Sequence, residues 1–129
     1  MAKAMRYLID THVLLWWFFD RDALSKEAQV IIADSDNDVL VSVVTPWEIF
    51  IKQQKGKLKI PDGLMEEIEN EAFEILPINT KHLMPYKGLP LVHSDPFDRM
   101  IIAQTIKEEL TLITRDKLIL QYNVKTLKA

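Results

Sequence analysis

The chain has 129 residues, of which 48% are hydrophobic, enough for one folded domain with its own core. The absence of cysteine excludes disulfides, thiol catalysis and thiolate metal sites, and it favours a cytoplasmic setting. Sixteen basic and nineteen acidic residues give a formal net charge of −3, which argues against binding nucleic acid through bulk positive charge. We interpret residues 1–129 as a single domain, with residues 1–4 as an N-terminal extension.

The first half of the chain predicts strands that alternate with helices. Short β-branched runs indicate buried strands, and longer apolar stretches with capping residues indicate helices. In chain order we expect a strand at 6–9, a helix to Phe19, a helix at 25–33, a strand at 39–44 and a helix at 45–55.

The second half continues this alternation, interrupted by a segment rich in proline and glycine. We expect an acidic helix at 64–72, a strand at 73–78, a helical turn at 80–84, an irregular loop at 85–94, a helix at 96–109, a strand at 112–113, a short helix at 117–122 and an edge strand at 123–127. The whole pattern predicts a three-layer α/β/α sandwich around a mainly parallel sheet of about five strands.

No segment is long enough to span a membrane. The longest apolar run covers residues 13–19, whereas a span needs roughly 18 to 20 residues. Asp10 precedes this run, which does not suit a signal peptide. We therefore expect no membrane partner.

Acidic residues follow the predicted strands or begin the helices after them. They are Asp10, Glu48, Asp98 and Asp116, with Asp95 as a possible fifth. Each can be explained as a helix cap: residues 45–48 have the layout of a capping box, and residues 95–98 share it. Taken one at a time, these acids do not indicate catalysis.

Together, the four acids favour a metal site. The carboxyl ends of parallel strands meet at one edge of a sheet, so the carboxylates would repel one another there unless a cation lies among them. Oxygen ligands favour Mg²⁺, or Mn²⁺ as a substitute, over zinc. Such an ion can activate water and neutralise a phosphodiester's developing charge, so the implied reaction is metal-assisted phosphoryl hydrolysis.

Four motifs occur in a recognisable order between Met5 and about Leu127. They are Leu8–His12, Thr45–Ile49, His93–Arg99 with the following Met100–Gln104, and Leu112–Asp116. With these motifs the chain resembles the PIN-domain ribonucleases, specifically the VapC-type toxins of toxin–antitoxin pairs.

The resemblance implies a PIN-like fold, RNA as substrate, an antitoxin partner and a homodimer. It also implies that Asp10, Glu48, Asp98 and Asp116 bind the metal, with Asp98 rather than Asp95 as the third ligand. Thr114 occupies a position where the family often has a small hydroxyl residue near the metal.

Several basic residues near these acids are candidates for substrate binding. Lys52 and Lys55, in a run that continues through Lys57 and Lys59, would contact RNA phosphates or merely form a solvated helix end. Arg99 and Arg115 each adjoin a proposed ligand and would contact the substrate phosphate or pair with the acids.

Histidines and aromatic residues are weaker candidates. His93, and less strongly His12, would donate to a carboxylate or to RNA, or be structural. The aromatic run 16–19 surrounds a helix, so at least one ring should be exposed; we interpret Trp16 and Trp17 as partner-binding candidates. Trp47 is expected in the core.

The leading hypothesis is therefore a Mg²⁺-dependent endoribonuclease that is the toxin of a pair. One alternative is a non-catalytic interaction module whose acids are only caps. Another is a metal-dependent DNA nuclease or phosphatase on the same sheet, although the absence of an Asp-x-Asp pair after the first strand argues against an aspartyl-phosphate enzyme.

Overall fold

Five parallel strands form one sheet in the computed structural model, which describes residues 5–129. The strand order is β3-β2-β1-β4-β5, and every neighbouring pair is parallel. The expected number and direction of strands are confirmed, whereas the proposed extension at 1–4 lies outside the described residues. The strands are β1 (Arg6–Ile9), β2 (Asp38–Ser42), β3 (Glu74–Leu76), β4 (Thr111–Thr114) and β5 (Thr126–Lys128).

Six α-helices connect the strands, with 3₁₀ turns at Arg21–Ala23, Thr80–His82 and Ile119–Gln121. Among residues 5–129, none of the helices is sufficiently long and apolar to cross a membrane. The helices are α1 (Thr11–Phe19), α2 (Lys26–Ala33), α3 (Val44–Gln54), α4 (Leu64–Asn70), α5 (Leu83–Gly88) and α6 (Pro96–Lys107).

Two hydrophobic cores lie on opposite faces of the sheet, because side chains alternate along each strand. Ile9 contributes to the core that also contains Leu14 of α1 and Ile68 of α4. Its neighbour Leu8 contributes to the other core, with Ile101 of α6. This alternation produces the predicted three layers.

The order of the strands determines where a site can form. From β1 the chain builds β2 and β3 on one side, and it then crosses to build β4 and β5 on the other. The crevice at such a reversal, beyond the carboxyl ends of the strands, is where open α/β sheets bind ligands. Here it lies beyond the ends of β1 and β4.

The capping box predicted at residues 45–48 is wrong. Helix α3 begins earlier, at Val44, whose backbone N–H donates to the Ser42 hydroxyl over 3.1 Å. Thr45 and Glu48 therefore lie inside the helix, where both side chains are buried. At α6, by contrast, Asp95 does accept hydrogen bonds from the first backbone N–H groups of the helix.

The segment expected to be an irregular loop contains α5, so that expectation is wrong for residues 85–88. Pro85 lies in the first turn of α5, where its missing N–H would have no helical partner in any case. The irregular connection is shorter and covers residues 89–95. It approaches the carboxyl edge of the sheet just before α6.

Candidate active site

Asp10 connects β1 to α1 and is buried. Its Oδ1 accepts a 2.9 Å hydrogen bond from the Val13 N–H, which makes it the cap of α1. Its Oδ2 accepts a hydrogen bond from the hydroxyl of Thr114, at the end of β4. The carboxylate is therefore fixed between two neighbouring strand ends.

Glu48 reaches the same edge from the buried face of α3. Its Oε1 accepts a 2.8 Å hydrogen bond from the Thr11 hydroxyl, and its Oε2 lies 3.0 Å from the Lys52 Nζ. Because neither bond involves a free backbone N–H of a helix start, capping does not explain Glu48.

Asp98 and Asp116 meet at the imidazole of His93. The His93 Nε2 lies 2.9 Å from the Asp98 Oδ2 and 3.4 Å from the Asp116 Oδ2. The Oδ1 of Asp116 accepts hydrogen bonds from the backbone N–H groups of Leu118 and Ile119. Asp116 thus caps a turn with one oxygen and faces Asp98 with the other.

The electrostatics of the site show that the four acids influence one another. Burial, followed by the charges of Asp95, Glu48 and Asp10, raises the pKa of Asp98 to about 7, although His93 opposes this shift. Burial also raises the pKa of Asp10, with a smaller contribution from the charge of Asp116. The structure thus brings the four sequence-predicted acids to one edge, whereas their role as ligands stays a prediction.

A cavity of about 270 Å³ opens beside Asp10 and Asp116. Its wall includes His12, Trp16 and Arg115. The Arg115 guanidinium lies 4.2 Å from the centre of the Trp16 ring and donates to the Ala23 carbonyl. No salt bridge joins Arg115 to an acid among residues 5–129, so a cation faces this cavity without neutralising the carboxylates.

A comparison with known families identifies the fold. The PIN domain family model matches residues 7–125. This chain belongs to the PIN domain family. The resemblance inferred from the motifs is confirmed, and with it the PIN-like architecture.

Relatives of this PIN domain cover nearly the whole chain. The chain is 26% identical over 113 residues to Ribonuclease VapC22 of Mycobacterium tuberculosis. The aligned region covers 85% of this chain and 86% of that protein.

Solved structures show the same fold at lower identity. VapBC2 of Rickettsia felis, solved with a promoter DNA fragment, matches with a TM-score of 0.70 at 18% identity, covering 97% of this chain and 99% of that one. VapBC of Salmonella typhimurium, also DNA-bound, gives a TM-score of 0.67 at 15% identity, with coverages of 96% and 98%. A toxin–antitoxin complex of Klebsiella pneumoniae gives a TM-score of 0.63 at 19% identity, with coverages of 94% and 95%.

Among residues 5–129, no hydrogen bond or salt bridge joins Arg99 to an acidic side chain, so its interpretation as an acid partner is wrong. Its side chain is only 7% exposed and donates to the carbonyls of Pro90 and His93 and to the Tyr122 hydroxyl. Those acceptors hold the 89–95 connection against α6. Arg99 therefore stabilises this connection rather than the site.

Two of the tryptophan assignments also need correction. Trp17 is 4% exposed and packs against Phe73, so it is not available to a partner. Trp47, expected in the core, is 54% exposed, because α3 turns Glu48 inward and Trp47 outward. Trp16 is half-buried and Phe19 is exposed, so the aromatic run does leave rings at the surface.

The remaining candidates keep positions compatible with their predicted roles. Lys52 contacts Glu48, and Lys55 is exposed at the end of the same helix. The residue that sequence reasoning missed is Thr11, which orients Glu48. Its position directly after Asp10 was the available signal, but neighbouring side chains point in different directions, so the signal did not show that Thr11 would reach Glu48.

Proposed function

We propose that this PIN domain is a metal-dependent endoribonuclease and the toxin of a toxin–antitoxin pair. The observation that carries the proposal is the convergence of Asp10, Glu48, Asp98 and Asp116, from separate elements, on one edge of the sheet. Capping accounts for Asp10 and Asp116, but Glu48 and Asp98 have no capping role. An interaction module would have no reason to place the buried Glu48 and the partly buried Asp98 beside other carboxylates.

The donor atoms fit a hard divalent cation. All four acidic side chains offer oxygen, which suits Mg²⁺ or Mn²⁺. The raised pKa of Asp98 arises partly from the charges of Glu48 and Asp10, which a cation among them would offset. When bound, such an ion supplies an activated water and neutralises charge on the phosphodiester.

The chain's own residues orient the acids and the substrate. Thr114 orients Asp10, and Thr11 orients Glu48. We assign contacts with RNA phosphates to Lys52, which pairs with Glu48, to Arg115 at the wall of the cavity, and to Lys55, which is exposed at the end of the helix that carries Lys52.

RNA as the substrate is supported by the curated relative, which is named a ribonuclease. An antitoxin as the partner is supported by the similar chains solved in VapBC and toxin–antitoxin complexes. Trp16, half-exposed beside the cavity, remains the candidate for contact with that partner. We also expect a homodimer.

RNA cleavage by matched variants tests the proposal. We expect the wild type to cleave single-stranded RNA in the presence of Mg²⁺ or Mn²⁺, and we expect EDTA to stop this cleavage. Asp98→Asn should be inactive. Asp95→Asn is the neighbouring control, since asparagine also caps helices well. Full cleavage by Asp98→Asn would contradict the site.

The same assay separates the alternatives. Cleavage of single-stranded DNA of the same sequence, but not of RNA, would support a DNA nuclease. Calorimetric titration without heat for Mg²⁺ or Mn²⁺, together with no EDTA-sensitive activity, would support the interaction module.

A further inference from the structure

His93 is fixed by contacts from several elements at the end of the connection between α5 and α6. Its backbone N–H donates to the Tyr122 hydroxyl over 2.7 Å, and that hydroxyl donates to the Pro90 carbonyl over 2.9 Å. Arg99 donates to the carbonyls of both Pro90 and His93. The imidazole is therefore held at one position beside the acids.

The hydrogen bonds of the ring determine which nitrogen carries the proton. The backbone N–H of Asp95 donates to the His93 Nδ1 over 3.2 Å. A backbone N–H can only donate, so Nδ1 must offer its lone pair, and in a neutral imidazole the proton then lies on Nε2. The Nε2–H donates to the Asp116 Oδ2 over 3.4 Å, and the Asp98 Oδ2 lies 2.9 Å from the same nitrogen without accepting this hydrogen bond.

Asp98 is held differently from the other three acids. Backbone N–H groups orient Asp10 and Asp116, and Thr11 orients Glu48. Among the described residues, the side chain of Asp98 accepts no hydrogen bond, and its carboxylate lies 2.9 Å from the His93 Nε2. The same imidazole holds the Oδ2 of Asp116, so His93 determines how the two carboxylates face each other.

We propose that His93 is a positioning residue that donates its Nε2–H to Asp116, keeps the Oδ2 of this carboxylate beside Asp98, and does not itself bind the metal. A nitrogen that carries a proton has no lone pair for a metal, so His93 acts through the two acids. The site then keeps an all-oxygen ligand set. The inference rests on the metal site of the proposed function.

Two substitutions at His93 distinguish the roles of the two ring nitrogens. In His93→Gln the side-chain amide can replace the Nε2–H donor, whereas in His93→Asn the amide oxygen can replace only the Nδ1 acceptor. We expect calorimetric titration with Mn²⁺ to show binding about 10- to 100-fold weaker for His93→Asn. Binding by His93→Gln should stay within a few-fold of the wild type.

A second measurement uses the wild type and does not depend on how the variants fold. Nuclear magnetic resonance of protein with ¹⁵N-labelled histidine reports which ring nitrogen is protonated. We expect the Nε2–H form for His93 in metal-free protein, and the same form after Mg²⁺ is added.

Each other outcome overturns the inference in a different way. Tight binding by His93→Asn with weak binding by His93→Gln would mean that His93 only holds the loop through Nδ1. Wild-type affinity in both variants would mean that it has no role. A proton found on Nδ1 in the metal-bound protein would make His93 a ligand. Absence of metal binding by the wild type would instead refute the proposed function, while the metal-free resonance spectrum would still test the tautomer.

Discussion

The hydroxyl of Thr11, in the first turn of α1, donates a 2.8 Å hydrogen bond to the Oε1 of Glu48 on α3. The Thr11 Oγ1 also lies 3.1 Å from the Oγ1 of Thr45, and all three side chains are buried. This contact joins two helices that follow different strands. It positions one of the four acids of the site.

Replacing Thr11 with valine removes this hydroxyl and keeps the shape of the side chain. We expect Thr11→Val to lower the free energy of unfolding by about 1 to 3 kcal/mol, because a buried carboxylate oxygen loses its donor. Urea denaturation measures the change. Thr80→Val, at an exposed position, is the control and should change stability little. Equal stability of Thr11→Val and the wild type would contradict this role.

The raised pKa of Asp98 predicts how the stability of the metal-free protein depends on pH. The carboxyl has a pKa of about 7 in the folded state against an ordinary value of 3.8, so between these pH values the folded state binds more protons. The contribution of Asp98 to the free energy of unfolding should therefore fall as pH rises from about 4 to 7. The raised pKa of Asp10 acts in the same direction.

Melting temperatures measured in EDTA across this pH range test the effect. Asp98→Asn should reduce the slope and raise the melting temperature at pH 8, because it removes a crowded charge. Asp36→Asn, at an exposed position, removes the same charge elsewhere and should do neither. A lower melting temperature for Asp98→Asn at pH 8 would contradict the crowding.

If Glu48 binds the metal, Lys52 should compete with it for the carboxylate. Its Nζ lies 3.0 Å from the Glu48 Oε2, and its side chain is partly exposed. Lys52→Met should strengthen Mn²⁺ binding by about two- to fivefold, because it removes a modest ion pair. The same variant should bind RNA more weakly. Lys55→Met should weaken RNA binding and leave Mn²⁺ binding unchanged. Calorimetric titration with Mn²⁺ therefore distinguishes the two lysines. An unchanged Mn²⁺ affinity in Lys52→Met would refute the competition.

Arg99 and Tyr122 form one buried network, with a 3.2 Å hydrogen bond between the guanidinium and the hydroxyl. We expect Arg99→Met to lower the free energy of unfolding by about 2 kcal/mol, because the buried Tyr122 hydroxyl and two part-buried carbonyls lose their donor. Tyr122→Phe should cost less. In a double-mutant cycle by denaturant unfolding, the two effects should not add, since the residues share acceptors. Additive effects would show that they act separately.

Trp47 lies at an exposed apolar surface, where its ring packs edge-on against Phe97 with the ring centroids 4.9 Å apart. If the expected homodimer buries this surface, Trp47→Ser should shift the protein towards the monomer. Light scattering coupled to size-exclusion chromatography measures the mass. Val30→Ser changes an exposed apolar residue on α2 and is the control. A dimer that persists in Trp47→Ser would place its interface elsewhere.

The local residue patterns were sufficient to predict the three layers, the parallel sheet and the edge of the sheet at which the acids lie. Strands and helices have local periodicities, and a parallel sheet places the end of each strand at a common edge. Asp10, Glu48, Asp98 and Asp116 could therefore be predicted to converge before any coordinate was known. The motifs around them were sufficient for the family.

The partners that hold each acid, and the neighbouring residues that have a purely structural role, could not be predicted without the packed elements. The rotation of a helix about its axis depends on packing, so the burial of Arg99 and the exposure of Trp47 could not be read from their proximity to an acid. The contacts of Thr11 with Glu48 and of His93 with Asp116 join residues distant in sequence. Such contacts depend on the orientation of whole elements, which local residue patterns do not encode.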